Sequence, residues 1–225
     1  MGKLKIGIVT AIHGRHETVR IFAANTKLPV LAVCSSSADG ELAASLGMKV
    51  LYKDNQPLSN KWNAGAAAVK GYDWGAVIFL GSDDVLTIRA EKSIRTALQD
   101  HDFAGFENII LWDRIKKEGR HWPGYTNHRK GEPAGAGRAI TISALEKLNY
   151  QPWQPGINKS LDFTFWEKVK ASNLKVKMLN TEDHGLLIDI KDTESMTPLE
   201  RFAECPSIDL KPLYRQARLK YKGWV

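Results

Sequence analysis

Two rhythms of apolar and polar residues alternate through the first hundred positions. Short apolar runs at 4–12 (LKIGIVTAI), 29–36 (PVLAVCSS), 48–53 (MKVLYK) and 74–80 (WGAVIFL) predict strands. Between them, 16–28, 39–47, 58–72 and 88–101 carry apolar residues at helical spacing. Gly47 suits the position just past a helix end, and Ser59 suits an N-cap. The alternation predicts an α/β fold with a mainly parallel sheet covered by helices on both faces. The run over 76–80 has no polar interruption, as expected of a central strand buried on both sides.

The second half changes character. Residues 103–114 predict a strand or strand pair. Residues 116–138 are basic, Gly-rich and aromatic, and read as a long functional or mobile loop. Ser143 and Glu146 form a capping-box pattern that opens a helix at 143–148. A further helix is predicted over 160–172, with Ser160 as N-cap and Asp162 in the first turn, followed by a strand at 174–180. At 197–202, Thr197, Pro198 and Glu200 match N-cap, N1 and N3 of a last helix. The tail 211–225 is basic with interleaved aromatics. The expected organisation is one domain over 1–195, split into halves 1–102 and 103–195, and a basic helical extension over 196–225.

The buried run at 76–80 ends in Gly81, Ser82 and the adjacent pair Asp83 and Asp84. Open α/β sheets bind ligands beyond the carboxyl ends of their strands. Two carboxylates beside a hydrophobic layer are costly unless a cation meets them. A hard divalent cation held by oxygen ligands is the natural candidate. The competing reading is a solvated turn with an Asp N-cap.

Composition narrows the setting. The chain has 225 residues, 43% of them hydrophobic, and nothing approaching eighteen consecutive apolar positions, so no transmembrane helix is expected. The N-terminus does not read as a signal peptide. Two distant cysteines, Cys34 and Cys205, argue for a reducing, cytoplasmic setting and against a structural zinc site. A formal charge of +7 fits a polyanionic partner: nucleic acid, an anionic membrane surface or a diphosphate substrate. It also fits a merely basic protein. GEPAGAG is neither a Walker A loop nor a Rossmann fingerprint, and no GxSxG or HExxH occurs.

Four stretches, taken in order, resemble the GT-A glycosyltransferases, specifically the family-2-type inverting enzymes that use nucleotide-diphospho-sugars. TAIHGRHE ends the first strand where that family closes a loop over the nucleotide. SNKWNAGAAAVKGYDWGAVIFLGSDD is similar to the family's ARNxGxxxAxGxxIxFLDxDD run, with Lys61 at the arginine and Asn63 and Gly65 matching. GSDD takes the place of the DxD motif, with Gly81 where the family has its first aspartate. GAGRAITISALEKLNYQPWQPGINKSLDFTFWEKVK is similar to the segment that ends in the family's Glu-Asp pair, here Leu161 and Asp162.

The resemblance implies a Rossmann-like three-layer sandwich. It implies that Thr10, Ala11, His13, Arg15, Ser35, Lys61, Asn63 and Asp83 contact a nucleotide-sugar, expected to be a UDP-sugar. It implies that Asp84 holds Mn²⁺ or Mg²⁺, that His184 supplies a further ligand, and that Asp162 is the catalytic base of an inverting transfer. For the acceptor, DNA carrying hydroxymethylated pyrimidines, as in compact bacteriophage transferases, competes with a cell-surface glycan or lipid-linked sugar. A nucleotidyltransferase and a degenerate, non-catalytic binding module are the alternatives of other classes.

Overall fold

The computed structural model of the protein describes residues 4–210. The basic tail 211–225 lies outside the described residues. In chain order the elements are β1 (Ile6–Ile12), α1 (His16–Asn25), β2 (Val30–Cys34), α2 (Ser37–Ser45), β3 (Lys49–Tyr52), α3 (Leu58–Ala68) and β4 (Ala76–Phe79). There follow β5 (Asp84–Leu86), α4 (Ile88–Asp100), β6 (Phe103–Phe106), β7 (Ile109–Asp113), β8 (Glu118–Trp122), β9 (Arg138–Thr141) and α5 (Ile142–Lys147). The last are α6 (Leu161–Ala171), β10 (Val176–Leu179), α7 (Thr181–His184), β11 (Leu187–Lys191) and β12 (Ser207–Ile208).

Seven strands form the main sheet in the order β10-β6-β9-β4-β1-β2-β3. All run parallel except β9, which is antiparallel to both its neighbours. Because strand side chains alternate faces, each strand feeds two cores. Ile8, Ile78 and Cys34 point to one, together with Phe22 of α1, Ala43 of α2 and Ile94 of α4. Val9, Val33, Val77 and Phe79 point to the other, with Ala66 of α3, Leu145 of α5 and Phe165 of α6. This is the helix–sheet–helix sandwich that the alternation predicts. At Gly65 an added Cβ would lie 2.6 Å from Val9, so the glycine lets α3 sit close on the sheet.

The second face is rich in aromatic rings. Phe165 is fully buried and packs edge-on against Trp153, Phe79 and Phe103, at centroid distances of 5.0, 5.9 and 5.7 Å. Phe165→Ala is expected to cost about 3–5 kcal/mol in a urea melt, since it leaves a cavity no neighbour can fill.

A smaller five-stranded sheet, β12-β8-β7-β11-β5, lies beyond the carboxyl end of β4. Its own core comprises Val85, Ile110, Trp112, Ile188, Ile190 and Leu210, joined by Ile21 of α1. Here the structure departs from the loop expected over 116–138. Asp113 Oδ1 accepts from the backbone N–H groups of Ile115 and Lys116, at 2.9 and 2.8 Å, and turns the chain back on itself. The returning segment is β8, antiparallel to β7.

Caps also shift. The helix expected to start at a Ser143–Glu146 box is capped instead by Thr141, whose hydroxyl accepts from Ala144 N at 3.2 Å, because β9 runs straight into α5. Ser160 makes no capping bond; it takes the left-handed conformation at φ 59°. Ser59 lies inside α3, and its hydroxyl accepts from Ile157 N at 2.9 Å. Residues 197–202 form a short 3-10 turn, Leu199–Phe202, rather than a helix capped by Thr197. Among the described residues, no helix is long and apolar enough to cross a membrane.

Candidate functional site

The site grows out of the end of β4. Beyond Leu80 the chain makes a tight turn in which Asp84 N donates to Gly81 O at 3.1 Å and Gly81 N donates to Asp84 Oδ2 at 2.7 Å. The turn delivers Asp84 as the first residue of β5. There it faces Asp189 of β11 directly across an antiparallel pair. Like charges opposed in this way destabilise a sheet. The arrangement therefore needs a reason other than folding.

Asp83, Asp84 and Asp189 bring one carboxylate oxygen each to within 4.8 Å of one another. Burial, then Asp189 and Asp83, push the Asp84 carboxyl well above the ordinary carboxylate range. Burial also raises Asp189, against the opposing pull of Lys191, whose Nζ lies 2.6 Å from Asp189 Oδ2. Asp189 Oδ1 is buried and bonded to nothing among the described residues. Converging hard oxygens, one of them an orphan, fit a divalent cation of the Mg²⁺ or Mn²⁺ type.

Gly81 explains how the site dispenses with a carboxylate at that position. A Cβ there would lie 2.7 Å from both Asp83 Oδ1 and Asp84 Oδ2, so the two carboxylates fill the space a side chain would need. Gly81→Ala is expected to splay them and weaken Mn²⁺ binding by roughly tenfold or more, about 1.4 kcal/mol. Circular dichroism should stay unchanged while calorimetric titration shows the loss.

Arg15 binds this region together. Its guanidinium pairs with Asp83 and, at 3.1 Å, with Asp192. It also donates to Ile190 O at 3.0 Å and Ser195 Oγ at 3.1 Å. The residue sits in the left-handed region at φ 49°, just before α1. Thr10 is fully buried at the end of β1 with its hydroxyl unbonded, Ala11 and Ser35 are half-buried, and His13 is exposed.

Lys61 and Asn63 have protein partners. Lys61 is fully buried and donates to Ile12 O at 2.5 Å, Ser35 Oγ at 2.5 Å and Asn55 Oδ1 at 3.2 Å. Burial pulls its pKa down to about 8. It ties together the ends of β1 and β2. Asn63 exchanges hydrogen bonds with the backbone of Trp153, donating to its carbonyl at 3.0 Å and accepting from its N–H at 3.2 Å. Lys61 thus braces the strand ends on which Ala11 and Ser35 sit, while Asn63 ties α3 to the segment between α5 and α6.

His184 does not join the carboxylates. Its Nδ1 accepts from Asn180 N at 3.2 Å, and the ring lines a groove beside α4. Asp189, five residues later, stands in the cluster instead. Asp39 is a second residue that sequence reasoning missed. It is buried near the end of β2, with Oδ1 accepting from Gly14 N and meeting His16 Nε2, both at 3.0 Å, and Oδ2 without a partner.

Asp162 stands apart from the cluster, in the first turn of α6. Tyr125 OH donates to its Oδ2 at 3.1 Å, and the carboxylate packs so close to Gly135 that no side chain fits there. Behind it, fully buried Arg138 donates to Pro133 O, Ala134 O and Asp162 O at 2.8, 2.9 and 2.6 Å. Arg129 caps the Tyr125 ring at 3.6 Å and pairs with buried Glu132 at 2.5 Å. Burial, then Asp162, raises the Tyr125 phenol, so it remains a hydrogen-bond donor at neutral pH. The long loop of the sequence is thus a frame that fixes one carboxylate.

The architecture is that of the GT-A fold. The chain is similar to the crystal structure of S. aureus TarS 1–349, a GT-A glycosyltransferase, with a TM-score of 0.59 and 13% identity over 83% of this chain. It spans 60% of that structure's length. It is more loosely similar to CMP:2-keto-3-deoxy-manno-octonic acid synthetase complexed with CTP, with a TM-score of 0.48 and 10% identity over 94% of this chain and 99% of the other. No family model matches the sequence, and no curated protein matches it.

Proposed function

We propose that the protein is an inverting glycosyltransferase that moves a sugar from a nucleotide-diphospho-sugar, a UDP-sugar first, to an acceptor hydroxyl. The observation that carries this reading is the Asp83–Asp84–Asp189 cluster at the carboxyl end of β4 in a GT-A fold. In this proposal residues 1–102 form the donor half and 103–195 the acceptor half.

Asp83, Asp84 and Asp189 would hold Mn²⁺ or Mg²⁺, which when bound offsets charge on the departing diphosphate. Thr10, Ala11, His13, Arg15 and Ser35 line the donor side, with Lys61 supporting the ends of β1 and β2 from beneath and Asn63 holding α3 against the Trp153 segment. The free Asp39 Oδ2 adds an acceptor suited to a nucleobase N–H. Asp162 takes the proton of the acceptor hydroxyl as that oxygen bonds to C1 of the sugar. The C1–oxygen bond to the diphosphate breaks on the opposite face, and its electron pair leaves with the nucleoside diphosphate. Tyr125 keeps the Asp162 carboxylate in place for that transfer, and Arg138 fixes the Asp162 main chain through its carbonyl.

A glycan acceptor fits better than DNA. Arg129, one of the cations of the basic segment 116–138, is spent on Glu132 and Tyr125. Phe163, next to Asp162, is 41% exposed and offers an aromatic face of the kind that stacks on sugar rings. Mass spectrometry tests both. Glycans, lipid-linked sugars and hydroxymethylpyrimidine DNA would be incubated with a panel of sugar nucleotides and Mn²⁺. Transfer with release of UDP supports the proposal, and release of pyrophosphate would instead identify a nucleotidyltransferase. Modification of DNA alone would reverse the acceptor assignment.

A further inference from the structure

Helix α4 carries a polar stripe that flanks its core residues Ala90, Ile94, Ala97 and Leu98 and shares Ala97 with them. Arg89, Lys92, Thr96 and Asp100 form one row at intervals of three and four, and Arg89, Ser93 and Ala97 a second row at intervals of four, which places all six on one side of the helix. With Lys177 and Leu179 of edge strand β10 and His184 of α7, they line a groove of about 360 Å³. His101, just past the helix, completes the wall. None of these residues belongs to the carboxylate cluster or to the Asp162 frame.

The donors converge without being used. Lys92 and Lys177 have no ion-pair or hydrogen-bond partner among the described residues. Arg89 spends one nitrogen on Asp183 O at 2.6 Å, which anchors the guanidinium at the rim and leaves its other N–H groups open. Because His184 Nδ1 accepts from a backbone N–H, the proton of the neutral ring sits on Nε2, which is therefore a donor. His101 is turned the other way: its Nδ1 meets Ala97 O at 3.1 Å, as a donor must. Ser93 and Thr96 add hydroxyls. One carboxylate, Asp100, lines the same groove, so three fixed cations outnumber it. Ala97 and Leu179 supply the apolar part of the wall.

We infer that this groove binds a phosphorylated small molecule, at a site separate from the donor cleft. Arg89, Lys92, Lys177 and the His184 Nε2–H meet the phosphoryl oxygens, in the charge-assisted bonds that such oxygens favour. The organic body rests on Ala97 and Leu179. That apolar part of the wall, which a bare phosphate would leave uncovered, favours an ester over the free ion.

The test follows the histidine ring signals by NMR while glucose 6-phosphate, and separately inorganic phosphate, is titrated into the full chain. EDTA is included so that no cation draws phosphate to the carboxylate cluster. The expected result is a saturable shift of His101 and His184, with His13 and His16 unmoved, and tighter binding of the sugar phosphate than of the free ion. Lys92→Glu and Lys177→Glu should each weaken binding roughly tenfold or more, the loss of one hydrogen bond to a charged group. If either reversal impairs folding, Lys92→Gln and Lys177→Gln should show the same direction. A non-saturable drift of all histidines, shifts confined to His13 and His16, equal binding of both anions, or affinity indifferent to the lysines would overturn the inference. The Asp84→Asn variant keeps the groove, so its binding here should be unchanged even if the glycosyltransferase reading fails.

Discussion

Mn²⁺ is expected to raise the melting temperature of the wild-type protein and to leave that of Asp84→Asn unmoved. The cause is the crowding of Asp84 by burial and by Asp189 and Asp83, which raises its carboxyl in the folded state. An acid whose folded value lies above its unfolded value binds its proton more tightly when folded. Without a divalent cation, this group's contribution is therefore most favourable below the ordinary carboxylate value of 3.8 and is lost as pH climbs through the raised value. A cation must displace that proton, so its affinity should rise over the same window. The amide introduced by Asp84→Asn has no such proton to lose, and its oxygen can still accept from Gly81 N. The variant should therefore melt about 2–4 °C above the cation-free wild type at neutral pH, near 1 kcal/mol, with a flatter pH profile. Transfer by the variant should fall on the order of 10²–10³-fold, the several kcal/mol that charge stabilisation at a leaving group supplies. Calorimetric melts with and without Mn²⁺ between pH 4 and about pH 8 would check the first part. Full activity of wild-type protein in EDTA would refute the cation's role.

Asp162→Asn should separate binding from turnover. The expected outcome is a kcat lower by roughly 10²–10⁴, the usual worth of a general base, with donor affinity and melting temperature nearly unchanged. A purely structural Asp162 predicts something different. A carboxylate in the first turn of a helix stabilises that helix by about 0.3–1 kcal/mol, so its loss would lower stability slightly and leave kcat alone. Tyr125→Phe removes the hydroxyl that holds the carboxylate at 3.1 Å and keeps the ring that Arg129 covers. It should lower kcat by about tenfold without altering donor KM, the pattern of a positioning residue. Single-turnover kinetics would distinguish these outcomes.

Local pattern makes the sandwich legible. The apolar run 76–80, the helical spacing of 88–101 and the small residues of 65–68 all translate directly into elements, because period and composition are local properties. The Asp83–Asp84 pair is conspicuous for the same reason. Asp189 is not. It sits in LIDIKD, an alternating strand, and only the register of β11 against β5 brings it opposite Asp84. That register depends on long-range pairing that no short window contains. His184 stands out in the sequence because histidine is a familiar ligand type, yet its Nδ1 is committed to its own helical turn. Lys61 looks like a free cation in a first turn and proves to be fully buried, which charge patterning alone does not reveal. The strand β8 is hidden by its Gly, Arg, His and Trp content, since an edge region of a small sheet needs little apolar sequence.

The carboxylate cluster sits where one sheet hands over to the other: Asp83 lies in the turn that leaves β4 of the large sheet, while Asp84 of β5 and Asp189 of β11 face each other in the small one. The large sheet is buried between two extensive cores; the small sheet shares one of them through Ile109, Leu111 and Leu187 on one face, and its other face holds the smaller cluster around Ile110, Trp112 and Ile188. The spacing of Asp84 and Asp189 therefore depends on the pairing of β11 with β5, a three-residue strand at the edge of the small sheet. Trimming Ile188 to Val, beside Asp189 in β11, is expected to weaken Mn²⁺ binding at elevated temperature, read by calorimetric titration, while circular dichroism shows the bulk of the protein still folded. Cation binding is then expected to fail at a lower temperature than the fold, so that a melting point alone overstates the range over which the three carboxylates stay together.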